Sequence, residues 1–109
     1  MQLEEFKKLC DELDIIVSPF NSANGGLKGV AMAGEGSRLI GYNAALDEND
    51  LSFVMAHEIA HHVIGHLGEG KIKPNKDGLK IAGAKAEKEA NIFAAVFMAI
   101  DMYQKAVTV

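Results

Sequence analysis

The 109-residue chain is poor in several things at once: it has one cysteine, no tryptophan, two prolines and a single arginine. A lone Cys10 excludes an internal disulfide and any Cys-rich zinc motif, and suits a reducing compartment. With Arg38 the only arginine among eleven basic residues and a net charge of −4, the chain lacks the makings of a phosphate-binding surface, so direct nucleic-acid binding is not expected. The longest apolar run, Ile92 to Ile100, is nine residues, whereas a membrane span needs about 20. The first residues, Met1-Gln2-Leu3-Glu4-Glu5, are acidic and lack the basic-then-apolar run of a signal peptide. The expectation is a soluble, cytoplasmic protein. Hydrophobic residues at 49% and charged residues at 24% are the balance of a globular chain, and the length suits one core and one domain over residues 1–109.

Leu3, Phe6, Cys10 and Leu13 recur at three- and four-residue steps, which predicts an amphipathic helix over about residues 2–13 with Cys10 on its apolar stripe. A small buried thiol is the expected reading of Cys10, against a reactive thiol reaching a metal. Ile15-Ile16-Val17 reads as a short strand ended by a turn at Pro19. Leu27 to Ala33 and Arg38 to Asn43 read as two strands of a hairpin turned by Gly34-Glu35-Gly36-Ser37. Asp47-Glu48-Asn49-Asp50 is a helix start, and a helix is predicted from about Asp50 to His66, ending near Gly65, Gly68 and Gly70. Residues 68–78 hold three glycines and Pro74 and read as a lysine-bearing, solvated loop. A last helix is predicted from Leu79 or Ala84 to Tyr103. Between Ile92 and Ile100 it is apolar almost all round, so it lies central in the core or offers a second face to an oligomer. The fold class expected is α+β: an N-terminal helix, a small twisted sheet of three strands, and two packed helices.

The chemistry is concentrated at His57-Glu58-Ile59-Ala60-His61, an H-E-x-x-H pattern in the middle of the predicted helix. Residues four apart stack on one helix face, so two imidazoles can grip one metal ion at about 2.0–2.1 Å. Glu58 is turned by about 100° from His57. It can hang beside the metal's open position and take a proton from the attacking water. A purely structural zinc site would need no acid there. Two imidazoles with a carboxylate favour zinc, one ion per chain.

A third ligand is required. Position 67, where a metzincin would carry histidine, is leucine. His62 points away from His61, and His66 falls near the helix end; both read as supporting or surface residues. The stronger choices are Glu87 and Glu89 on the last helix, 200° apart, so that only one can face the metal. Glu87 shares its stripe with Ala90, Asn91, Ala94 and Met98. The alanines permit close approach to the motif helix, and Asn91 is spaced to hydrogen-bond the distal nitrogen of a ligand histidine. Glu89 shares its stripe with Phe93, Val96 and Ile100, which reads as general core packing. Glu87 is favoured, with Glu89 left open.

Phe53-Val54-Met55-Ala56-His57-Glu58-Ile59-Ala60-His61, followed by Glu87-Lys88-Glu89-Ala90-Asn91-Ile92-Phe93-Ala94-Ala95, resembles the ImmA/IrrE family of metallopeptidases, with H-E-x-x-H on one helix and E-x-x-A-N-x-F-A on the next. The resemblance covers about Leu27 to Met98. It implies a gluzincin-like zinc endopeptidase in which His57, His61 and Glu87 bind zinc and Glu58 is the general base, and so selects Glu87 over Glu89. It also implies a protein substrate, commonly a transcriptional repressor. The chain departs from the family in lacking the proline that often closes the leucine-rich stretch after Phe-Ala-Ala. It carries neither a helix-turn-helix domain nor a sensor domain, and so reads as a bare catalytic domain, with the minigluzincins a related possibility.

The expected reaction is peptide hydrolysis, with an extended substrate adding to a sheet edge, taken as the Arg38–Asn43 strand. Tyr42, Tyr103, His62 and His66 are the side chains available to an oxyanion, and sequence does not rank them. Two rivals remain: a zinc-containing module, catalytically weak, that binds a partner, and a latent peptidase that forms homo-oligomers.

Overall fold

The computed structural model describes residues 1–22, 26–65, 67 and 83–107. The elements run α1 (Leu3–Glu12), β1 (Ile16–Phe20), β2 (Gly29–Gly34), β3 (Ser37–Asn43), α2 (Glu48–Val63) and α3 (Ala84–Val107). This is the α+β arrangement expected from the sequence. The lysine-bearing stretch 68–78 and His66 lie outside the described residues.

Each element has a local cause. The Gln2 backbone amide donates to Glu5 Oε1 at 3.1 Å at the head of α1. Phe6 and Cys10 on its apolar stripe are fully buried. Glu35 and Gly36 both adopt positive φ, 51° and 78°, between the Gly34↔Ser37 pair that closes the ladder. Such a two-residue turn matches the twist of its strands and favours glycine. Asp47 caps α2 by accepting from the Asp50 amide at 2.8 Å, and Glu48 and Asp50 in the first turn suit the positive end of the helix dipole.

The sheet order is β1-β3-β2, with β1 parallel and β2 antiparallel to β3. Two expectations are corrected here. Pro19 does not end the first strand but lies within it, paired with Tyr42. An edge strand has one side free of partners, where a missing N–H costs nothing. The Arg38–Asn43 strand is not an edge: β3 is central, and β1 and β2 are the edges.

Ala31, Ile40 and Tyr42 are the buried hydrophobic side chains of β2 and β3, with Asn43 buried at the end of β3. Ile40 and Tyr42 join Phe6, Cys10, Met55, Ala56, Ile59 and Ala94 in one core, with Ile15 at the entry to β1. The helix α2 sits at the centre, packed on β2, β3, α1 and α3. α3 rests mainly on α2 and reaches α1 where the Phe97 and Phe6 rings stand 5.9 Å apart. Among the described residues no helix is long and apolar enough to cross a membrane.

Candidate metal centre

The H-E-x-x-H spacing acts as the helix geometry requires. His57 and His61 lie one turn apart on α2, their rings edge-on with centroids 4.8 Å apart and their Nε2 atoms 3.2 Å apart. Ala90 and Ala94 of α3 are fully buried; side chains this small let the two helix backbones approach. That brings Glu87, in the first turn of α3, over the imidazoles. Its Oε2 lies 2.9 Å from His57 Nε2 and its Oε1 lies 2.9 Å from His61 Nε2.

Three Lewis-basic atoms therefore converge on one point, all within 4.8 Å of one another. Ligand atoms about 2.0–2.1 Å from a tetrahedral zinc ion stand roughly 3.3 Å apart, close to the separations found here. Two imidazole lone pairs and a carboxylate repel unless a cation or shared protons lie between them. The donor set and its convergence fit a metal ion. His61 is buried, His57 has 11% of its side chain exposed, and Glu87 is half-exposed, so the group opens to solvent on the α3 side.

Glu58 is buried, its Oε1 4.0 Å from His61 Nε2. Burial, and secondarily the charge of Glu87, pushes its carboxyl up from 4.5 to about 8. A carboxyl buried beside the point where the three ligand atoms converge is placed to take and return a proton there. It lies where two concavities meet. One, about 260 Å³, is walled by Lys28, Phe53, His57 and Asn91; the other, about 250 Å³, by Leu27, Val30, Ala31, His61 and Glu87. Gly29 and Glu58 belong to both. A larger open groove between α1 and β1 is lined by Glu4, Lys7, Asp11 and their neighbours, away from these histidines.

Gly29 is the residue that sequence reasoning missed. A Cβ there would fall 2.4 Å from Val54 Cγ1 and 3.1 Å from Glu58 Oε2, so only glycine lets the β2 backbone pass this close to α2. Its signal in the sequence was a glycine inside the predicted strand Leu27 to Ala33.

His62 is not a surface residue. It is buried, and its Nε2–H donates to the Leu39 carbonyl at 2.9 Å. Burial lowers its basicity, and it ties the histidine-bearing turn of α2 to the central strand. Tyr42 belongs to the core, and Tyr103 is exposed far along α3. None of these three lines the cleft around Glu58. Asn91 does line it, but no described hydrogen bond joins it to either imidazole. Glu89 is absent from the converging group.

A pair of histidines from one helix, a carboxylate from the next and an acid beside them define a metallopeptidase-like centre on an α+β scaffold. Comparison with known families agrees. The chain belongs to the Peptidase_M78 family, whose model, the IrrE N-terminal-like domain, matches residues 10–102. No protein of curated function matches it.

Proposed function

We propose that this protein is a gluzincin-type zinc endopeptidase, a single domain over residues 1–109, that hydrolyses a peptide bond in a protein partner in the cytoplasm. A transcriptional repressor is the favoured substrate, by resemblance to the family. The observation that carries the reading is the convergence of His57, His61 and Glu87 at 2.9–3.2 Å with a buried, near-neutral Glu58 beside them.

His57 and His61 through Nε2, and Glu87 through its carboxylate, would hold the ion. Zinc bound there polarises a scissile carbonyl and acidifies water. Glu58 takes the proton of the attacking water and returns it to the leaving amine, its place beside the converging ligand atoms setting it within reach of both. The substrate backbone pairs with the free edge of β2, because β3 is occupied on both sides. An extended chain on that edge has one concavity on each side of Glu58 and Gly29, room for side chains flanking the scissile bond. Asn91, on the cleft wall, contacts the substrate or steadies His57.

The test is hydrolysis of quenched peptide libraries and of candidate repressors by the zinc-loaded protein, beside Glu58→Gln. Cleavage that falls about 10²–10⁴-fold in Glu58→Gln, with zinc retained, supports the reading. An inert wild type that still carries zinc contradicts it. That result favours a second reading, a catalytically weak zinc-containing module that binds its partner. One observation speaks for this alternative: Tyr42, His62 and Tyr103 are all engaged or placed away from the cleft, leaving no evident oxyanion donor among them.

A further inference from the structure

The inner and outer faces of α3 are both apolar. The inner face buries Ala90 and Ala94 and half-buries Phe97. At 100° per residue, Ile92, Val96, Tyr103 and Val107 fall together on the opposite side, with Ile100 at its flank. These five are 66%, 53%, 69%, 58% and 53% exposed. Charge is absent from this outer face between Ile92 and Val107. The two charged residues of that span, Asp101 and Lys105, lie on the inner side and pair with each other at 3.2 Å.

We propose that this face is an interface between two copies of the chain, which pair α3 against α3 in antiparallel fashion. Size is the first argument. The five exposed side chains amount to on the order of 500–600 Å², at the upper end of the roughly 300–600 Å² of the largest patch on an ordinary monomer and a large part of the ~800 Å² per partner of a standard interface. Shape is the second. With the two-fold axis between the levels of Phe97 and Met98, Val96 meets the partner's Ala99, Ile100 meets the partner's Ala95, and Ile92 meets the partner's Tyr103. At the centre large side chains thus face small ones, and toward the ends Ile92 packs on the partner's Tyr103 ring, each contact repeated by the two-fold as an isologous interface requires. Charge is the third. A parallel pair would bring together Lys85 and Lys88 of both copies, whereas the antiparallel pair sets Lys88 beside the negative, C-terminal end of the partner helix. Glu87 lies on the inner side, so both clefts stay open, with the two Glu87 positions about 30 Å apart along the helix axes.

The test is sedimentation equilibrium of the full chain to about 100 µM, with Val96→Glu and Tyr103→Glu. Both positions are exposed in the monomer, so thermal unfolding followed by circular dichroism reports whether each variant still folds. A wild-type dimer of micromolar or tighter affinity, weakened at least about 30-fold in either folded variant, supports the proposal. A spin label on Lys85→Cys then reads the direction, since buried Cys10 takes no label: about 38 Å apart along the axes for antiparallel helices. A wild type that stays monomeric, variants that associate unchanged, or labels within about 20 Å of each other would overturn it.

Discussion

Glu58 is a carboxyl held where a charge is costly, and the cost is measurable without any substrate. In the metal-free protein its pKa stands at about 8 rather than 4.5, first from burial and then from Glu87. The folded state therefore binds a proton more tightly than the unfolded state. Below about pH 4.5 both states are protonated and there is no penalty. Between 4.5 and 8 the unfolded chain ionises first, so stability falls as pH rises; above 8 the penalty is constant. A shift of this size corresponds to up to about 5 kcal/mol, and relaxation and water entry reduce it to about 2–4 kcal/mol. That is a large share of the roughly 5–15 kcal/mol that stabilises a domain. Glu58→Gln keeps the shape and removes the ionisation. Urea unfolding of the chelator-treated protein at pH 5 and at pH 8.5 should show wild type and variant within about 1 kcal/mol at the lower pH and the variant about 2–4 kcal/mol more stable at the higher. Equal stabilities at pH 8.5 would refute the reasoning, because a carboxyl that ionises freely has no desolvation to relieve.

Three further outcomes follow from the same structure. Gly29→Ala places a Cβ 2.4 Å from Val54 Cγ1 and should cost about 1–3 kcal/mol of stability by overpacking, measured by urea unfolding; because Glu58 Oε2 is 3.1 Å from that Cβ, hydrolysis should fall further than stability. Asn43 is buried, donates to the Ser22 and Leu27 carbonyls at 3.3 and 3.2 Å and accepts from the Ala45 amide at 3.0 Å, so Asn43→Ala should destabilise by about 2–4 kcal/mol, read in the same assay. Cys10 is fully buried with its thiol pushed up to about 11 by burial, and should react with a thiol reagent at pH 8 only at the rate of unfolding; fast labelling of the native protein would show the core more open than described.

What the sequence disclosed and what it withheld divide along physical lines. The helix spacing of His57 and His61 is local, so the motif could be placed directly, and the alanines beside Glu87 anticipated the approach of α3 to α2. The β2–β3 hairpin was legible because its turn residues lie in Gly34 to Ser37. The position of β1 was not: its pairing with β3 spans more than twenty residues, and nothing local says which strand becomes the centre. The misplaced substrate edge follows from that. The stripe of Val96 and Ile100 was read as core packing, yet both are half-exposed. A helix apolar on opposite sides gives periodicity no means of choosing its inner face. For His62 a supporting and a surface place both stayed open for a related reason: its direction on the helix was known, but the presence of β3 on that side was not.

The central claim is that His57, His61 and Glu87 together make a metal centre, and metal content tests it most directly. Elemental analysis of the purified wild type should find about one zinc per chain, retained in Glu89→Ala and lost in Glu87→Ala. Zinc retained in both variants would contradict the assignment of Glu87. A wild type that binds no metal even when zinc is supplied would contradict the account of the site.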